Sequence, residues 1–364
     1  MLQAVPFVPH GGNLATAIAQ YGRPREAWLD LSTGINPNGY PVPALGGDAW
    51  LRLPEDGDDL EAIAASHYGA PAALAVAGTQ AAIRMLPAVL PLGSVGIGLL
   101  TYGEYAPAFA AAGFEVLRFV TEPVADLAEQ ADFSLLPGQP LPAQLRHLVI
   151  VNPNNPTATL YTPEVLLGWH RQLCERGGSL IVDEAFMDAL PLAGLAAHTQ
   201  LDGLIVLRSI GKFFGLAGAR VGFVLAAPAV LGQLAALRGP WSISGPARAV
   251  VRMALLDDGW QAAARRQLQQ AGPRLAALLA QAGFQPHATP LFAWAPHPHA
   301  AQWQHHLAQQ GIWVRRFEHV PSLRFGLPAG EQGWQRLGAA LAAPFESPST
   351  SPSTFPPGND RAQS

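Results

Sequence analysis

A chain of 364 residues with 49% hydrophobic content is too long for one small domain and supports a sizeable core, in two lobes or one large α/β unit. Only 13% of the residues are charged, the net charge is −4 and no basic run occurs, which argues against a nucleic-acid partner. The single cysteine, Cys174, excludes an intrachain disulfide and fits a reducing compartment; residues 1–20 carry no basic-then-apolar signal, so a cytoplasmic location is expected.

Residues 1–40, rich in Gly, Pro and Asn, read as an extended arm. Residues 58–68 (DDLEAIAASHY) have helical spacing with an acidic start, and Gly78-Thr79-Gln80 opens another helix. The apolar stretch 72–100 is interrupted by Gln80, Arg84, Pro87 and Pro91, so it is expected to be buried α/β core and not a membrane span. Strands are expected at 95–100, 115–120, 147–151, 179–182, 204–208 and 221–225, with helices at 104–113 and 163–176. This alternation predicts a mainly parallel sheet covered on both faces. From residue 229 the pattern turns helical, with a long Ala/Leu/Gln/Arg stretch at 246–282, then apolar runs at 291–294 and 312–314. The expected organisation is an arm (1–40) packing with a small domain and the active site, a large domain (41–228), the small domain (229–345) and a disordered, low-complexity tail (346–364).

Lys212 is the only lysine in the chain, against 21 arginines (22 basic residues less one). A guanidinium stays protonated, whereas a desolvated amine can lose its proton and condense with a carbonyl. Compositional drift is the alternative explanation, and the surroundings of Lys212 bear on it. Lys212 follows the strand LIVLR, and ligands of open parallel sheets collect beyond the carboxyl ends of strands. Ser209 and Arg220 flank it on the same glycine-rich loop and suit a phosphate, although a turn hydroxyl and a surface ion pair are the plainer readings. Asp183 ends the strand SLIVD, where a buried carboxylate needs a partner such as a cationic ring nitrogen; a helix N-cap is the alternative. Asn155 lies in Asn-Pro-Asn-Asn-Pro-Thr beyond a third strand, in a segment that could equally be an ordinary turn. Gly78 and Thr79 offer helix-start amides to an anion, and Tyr102 could stack on a flat ring or simply belong to the core.

Taken in this order, the motifs resemble those of the fold type I pyridoxal-phosphate enzymes, the aspartate-aminotransferase-like superfamily, over residues 30–330. The resemblance implies an α/β fold with a large, mainly parallel domain that binds pyridoxal 5'-phosphate and a smaller α/β domain. It implies that Lys212 links covalently to the cofactor and later shuttles protons, with Asp183 on the pyridine nitrogen and Asn155 on the phenolic oxygen. Tyr102 would stack on the ring. Gly78, Thr79, Gln80, Ser209 and Arg220 would complete the cofactor site, and no metal is expected.

Within that superfamily, His10-Gly11-Gly12-Asn13 and Asp30 to Gly39 (DLSTGINPNG) resemble the threonine-phosphate decarboxylases of cobalamin biosynthesis. Histidinol-phosphate aminotransferases generally lack the first motif and carry Glu in place of Ile35. Phe186 also leans toward the decarboxylases, since aminotransferases usually have a tyrosine there. The resemblance implies decarboxylation of L-threonine O-3-phosphate to (R)-1-amino-2-propanol O-2-phosphate, with histidinol-phosphate-type transamination and a non-catalytic role as alternatives. It implies a small phosphorylated amino acid as the partner, bound by His10, Gly34, Asn155 and Arg324, and a homodimer. Arg315 and Arg316 could supply a phosphate clamp. One departure is Arg52-Leu53-Pro54, where relatives often have a tyrosine that reaches the neighbouring subunit's cofactor.

Overall fold

The computed structural model describes residues 11–55, 57–121, 127 and 129–344. His10 and the tail 346–364 therefore lie outside the described residues.

Two sheets organise the chain. The strands are β1 (Leu29–Leu31), β2 (Leu74–Val76), β3 (Ser94–Gly98), β4 (Glu115–Val120), β5 (Phe133–Ser134), β6 (Leu145–Val151) and β7 (Ser179–Asp183), followed by β8 (Leu204–Ser209), β9 (Gly222–Ala226), β10 (His287–Ala288), β11 (Phe292–Pro296), β12 (Ile312–Phe317) and β13 (Ser322–Gly326). The larger sheet has the order β2-β9-β8-β7-β6-β3-β4-β5. Its strands are parallel except β9, which runs antiparallel to both β8 and β2. The carboxyl ends of β2, β3, β6, β7 and β8 therefore share one edge.

The central strands are apolar throughout because both faces are covered. Alternate residues divide between two cores: Val149, Ile181 and Ile205 join Ile83, Leu86 and Phe109 on one face, and Leu148, Leu180 and Val206 join Leu166, Trp169 and Leu173 on the other. Helix Pro163–Cys174 shows how sequence directs this packing. Proline at its start costs no hydrogen bond, and Leu166, Trp169, His170 and Leu173 form one buried stripe at helical spacing.

The smaller sheet has the order β1-β12-β13-β11-β10 and is antiparallel except for the β1–β12 pair. The arm thus contributes a strand to a sheet otherwise built from residues beyond 286. The arm is not extended throughout, contrary to expectation. Leu14–Tyr21 is helical, capped by the Asn13 side chain on the Ala15 N–H and closed by Gly22 at φ +68°. Leu14 and Ala17 bury its apolar face, a three-residue spacing too brief to stand out among the surrounding Gly and Pro. The long helical stretch 246–282 is two helices, Gly245–Leu256 and Asp258–Gln281, because Asp257 caps the second by accepting from the Trp260 N–H at 2.9 Å.

Candidate active site

The loop after β8 carries Lys212, and the arm holds that loop in place. The Asn36 N–H donates to the Lys212 carbonyl (3.0 Å), the Asn36 side chain to the Phe213 carbonyl (2.9 Å) and the Tyr40 N–H to the Phe214 carbonyl (2.8 Å). Gly215, at φ +69°, approaches Gly39 so closely that a Cβ there would lie 2.5 Å from the Gly39 Cα. Lys212 is partly buried, and burial, with help from Arg324 and Arg220 and against Asp183, lowers its amine to about 8.

Asp183, at the end of β7, is buried. Its Oδ2 accepts from the Tyr105 hydroxyl at 2.8 Å and its Oδ1 from the Ala185 N–H at 3.0 Å. Burial raises this carboxylate's pKa, while the two hydrogen bonds and Lys212 oppose the rise. The N-cap alternative is thus met only in part, since the Ala185 bond closes a local turn. Asn152, beyond β6, pairs its N–H with the Asp183 carbonyl (2.8 Å), which brings the Asn-Pro segment alongside.

Gly78, Thr79, Ser209 and Arg220 converge. Ser209 is the register partner of Gly222, and a Cβ on Gly222 would meet the Thr79 nitrogen at 2.8 Å. A Cβ on Gly78 would lie 2.6 Å from Arg220 Nη2. Arg220 is exposed, sits in the left-handed region at φ +54° and has no carboxylate partner among the described residues, so the surface-ion-pair alternative is not met. A guanidinium over the start of helix Thr79–Val89 makes a cationic, amide-lined recess suited to phosphate. Gln80 accepts from the Tyr102 hydroxyl (3.1 Å) and donates to Glu104 (2.6 Å), bracing Tyr102.

Arg324, on β13, bridges the two sheets. Its Nη1 donates to the Asn155 side-chain oxygen and its Nη2 to the Ser32 carbonyl (2.7 Å). Arg315 is its register partner on β12, so the two side chains leave the sheet on one face, with the Arg315 Cζ 5.3 Å from the Phe317 ring centroid. Burial, reinforced by Arg315, lowers Arg324 to about 10, which leaves it charged at neutral pH. Arg316 is instead tied to Glu318 at 2.6 Å. Gly34 packs on an aromatic pair: a Cβ there would meet Phe186 at 2.8 Å and Phe292 at 3.1 Å. The Lys212 Nζ lies 5.5 Å from the Phe186 ring centroid, and the Arg324 Cζ 5.5 Å from that of Phe292.

Sequence reasoning missed Tyr105, Ser32 and the buried group Arg208, Glu184 and Asp188. Tyr105 stands three residues after Tyr102 at a helix start, a spacing that could have marked the two rings as neighbours. Nothing local marked Ser32, whose carbonyl matters only once β13 lies against the arm.

The aminotransferase class I and II model matches residues 57–340. The chain belongs to this family. Among family relatives, the chain is 45% identical to a threonine-phosphate decarboxylase from Pseudomonas aeruginosa, over 92% of this chain and 97% of that one. It is 32% identical to a histidinol-phosphate aminotransferase from Shewanella amazonensis, over 68% and 70% respectively. A solved histidinol-phosphate aminotransferase from Sinorhizobium meliloti, in complex with pyridoxal-5'-phosphate, superposes with a TM-score of 0.74 at 19% identity, covering 93% of this chain and 95% of that one.

Proposed function

We propose that this chain is a pyridoxal-phosphate-dependent decarboxylase of L-threonine O-3-phosphate, giving (R)-1-amino-2-propanol O-2-phosphate. The observation that carries the reading is the setting of Lys212, within electrostatic reach of the buried carboxylate of Asp183 and of Arg324, whose register partner is Arg315. Two arginines on one face of the sheet suit a substrate with two anionic groups, a carboxylate and a phosphate. The near-full-length similarity to a threonine-phosphate decarboxylase supports the same substrate.

The residues fit the cofactor. The recess between Gly78 and Arg220 would be blocked by any side chain on Gly78. Asp183 keeps lone pairs free for a ring N–H, and Lys212 is depressed toward neutrality. Pyridoxal phosphate, when bound, supplies the electron sink for the pair released as the Cα–carboxylate bond breaks. Gly78, Thr79, Ser209 and Arg220 would hold its phosphate, Tyr102 would face its ring, and Asn155 and Asp183 would hold its two polar edges. Arg324 would bind the substrate carboxylate and Arg315 the substrate phosphate. Lys212, neutral above about pH 8, can accept a proton and return it to Cα. Phe186 and Phe292 give this corner an apolar wall with no phenol to compete for that proton.

Incubation of the purified protein with threonine phosphate and pyridoxal phosphate, without a keto acid, should release carbon dioxide and aminopropanol phosphate. Keto-product formation only in the presence of 2-oxoglutarate would assign it to transamination instead. Gly78→Ala should weaken pyridoxal phosphate binding about tenfold or more, because the added Cβ would lie 2.6 Å from Arg220 Nη2 and push the guanidinium out of the recess. Fluorescence titration of the cofactor-free protein checks this; wild-type affinity in the variant would remove Gly78 from the phosphate recess.

The same reading extends to a cytoplasmic homodimer. Trp50 and Leu51, at the end of helix Asp48–Leu51, and Leu53, just past it, expose 70%, 85% and 65% of their surface, an apolar strip that a second copy would cover. Leu53 would pack there, where resembling enzymes present a tyrosine. Among the described residues no helix is long and apolar enough to cross a membrane.

A further inference from the structure

We infer that Tyr105 is a positioning residue that sets the orientation and charge of Asp183 toward the cofactor ring. This inference rests on the proposed pyridoxal phosphate site. Tyr105 is fully buried in the apolar layer with Phe109, Ile97 and Ile181, where a hydroxyl is costly unless it is paired. It is paired, at 2.8 Å, with Asp183 Oδ2. Among the described residues no other side chain hydrogen-bonds Asp183; its second donor is the Ala185 backbone.

The two donors have different consequences. The Ala185 amide belongs to the turn after β7 and fixes Oδ1 whatever the site contains. The Tyr105 hydroxyl comes from a separate element, helix Tyr105–Ala111, and decides whether the carboxylate can stay ionised in a dry setting. A carboxylate oxygen has two lone-pair sites, so these bonds leave room for one more donor on each oxygen. With Tyr105 in place, an ionised Asp183 presents one such vacancy to a protonated ring nitrogen. Without it, Asp183 has one donor fewer against the same burial, and the proton moves from the ring toward the carboxyl. Tyr102 stands 6.4 Å away, edge-on to Tyr105, so one helix start supplies both the ring-facing tyrosine and the carboxylate support.

The test uses the cofactor-loaded enzyme with ¹⁵N-labelled pyridoxal phosphate. Tyr105→Phe, which keeps the buried ring, should shift the pyridine ¹⁵N signal from the protonated toward the unprotonated position. It should lower kcat about tenfold to about a hundredfold, the loss expected for one hydrogen bond to a charged group, with KM changed by less than about twofold. On an Asp183→Asn background the same change should lower kcat by less than about twofold, because the two residues act as one unit. Replacing Tyr105 by 3-fluorotyrosine, a near-isosteric and more acidic donor, should also move the ¹⁵N signal, which covers the case in which the phenylalanine variant folds poorly. An unchanged ¹⁵N signal in both variants, or losses that multiply on the Asp183→Asn background, overturns the inference while leaving the decarboxylase reading intact. A wild-type protein that takes up no pyridoxal phosphate overturns both.

Discussion

Lys212→Arg should lower the decarboxylation rate by about 10⁴-fold or more, with saturating pyridoxal phosphate and threonine phosphate. Arginine keeps the charge and much of the reach, so the loss would isolate what an amine does and a guanidinium does not. Two measurements belong together: carbon dioxide release, and the mass added to the Lys212 peptide after borohydride reduction. The wild type should gain the mass of reduced cofactor on that peptide, and the variant on none. A variant within tenfold of the wild-type rate would sink the assignment. The pH dependence follows from the environment of the amine. The neutral form is the nucleophile, so cofactor uptake by the cofactor-free protein should quicken as pH rises through about 8 and then level off. Its folded pKa lies below the ordinary 10.5, so between about 8 and 10.5 the unfolded chain binds more protons at this group. The contribution of Lys212 to stability therefore rises with pH across that window. An uptake profile that instead rises near 10.5 would show that Lys212 is not desolvated.

The larger sheet was legible because its strands are short apolar runs alternating with amphipathic helices. The expected strand at 179–182 is Ser179–Asp183 and that at 204–208 is Leu204–Ser209, each with its candidate residue at or just beyond the carboxyl end. Strands of two or three residues were not legible. β1, β2 and β10 are too brief to establish a period, and β1 exists because β12 offers it a partner more than 280 residues away. The same limit governs the site. Lys212, Asp183 and Arg220 stand on motifs whose residue types suggest their chemistry. Tyr105 and Ser32 act through partners that only the fold brings near, and a tyrosine beginning an apolar helix looks like core because it is core. Gln80 adds a link that its motif did not indicate, since its side chain hydrogen-bonds Tyr102 and Glu104.

Arg208→Met should destabilise the folded protein by about 3–5 kcal/mol at neutral pH, the loss expected when one partner of a buried ion pair is removed. Arg208, Glu184 and Asp188 are all buried, with Arg208 Nη2 at 3.0 Å from Glu184 and Nη1 at 3.5 Å from Asp188. Burial pushes Asp188 up to about 6, against Arg208 and Arg265, and raises Glu184 against Arg208 and the Leu195 N–H. Both carboxyls therefore carry a folded-state pKa above their ordinary values. The stability they contribute is present at low pH and lost as pH rises through the folded pKa, near 6 for Asp188. Removing the guanidinium deepens that loss, so the deficit of Arg208→Met in urea unfolding should shrink as pH falls toward 5. Arg208→Met combined with Glu184→Gln and Asp188→Asn should recover much of the stability. A deficit that is independent of pH would mean that packing against Tyr68, over which the guanidinium lies at 4.8 Å, matters more than charge. The location of the group makes the effect functional as well. Arg208 precedes Ser209 and Glu184 follows Asp183, so the network ties the ends of β7 and β8 together one residue from the proposed cofactor site. An apolar core there would be cheaper to bury. It would also let the two strand ends slide, and the distance between Asp183 and Lys212 is what the proposed chemistry depends on.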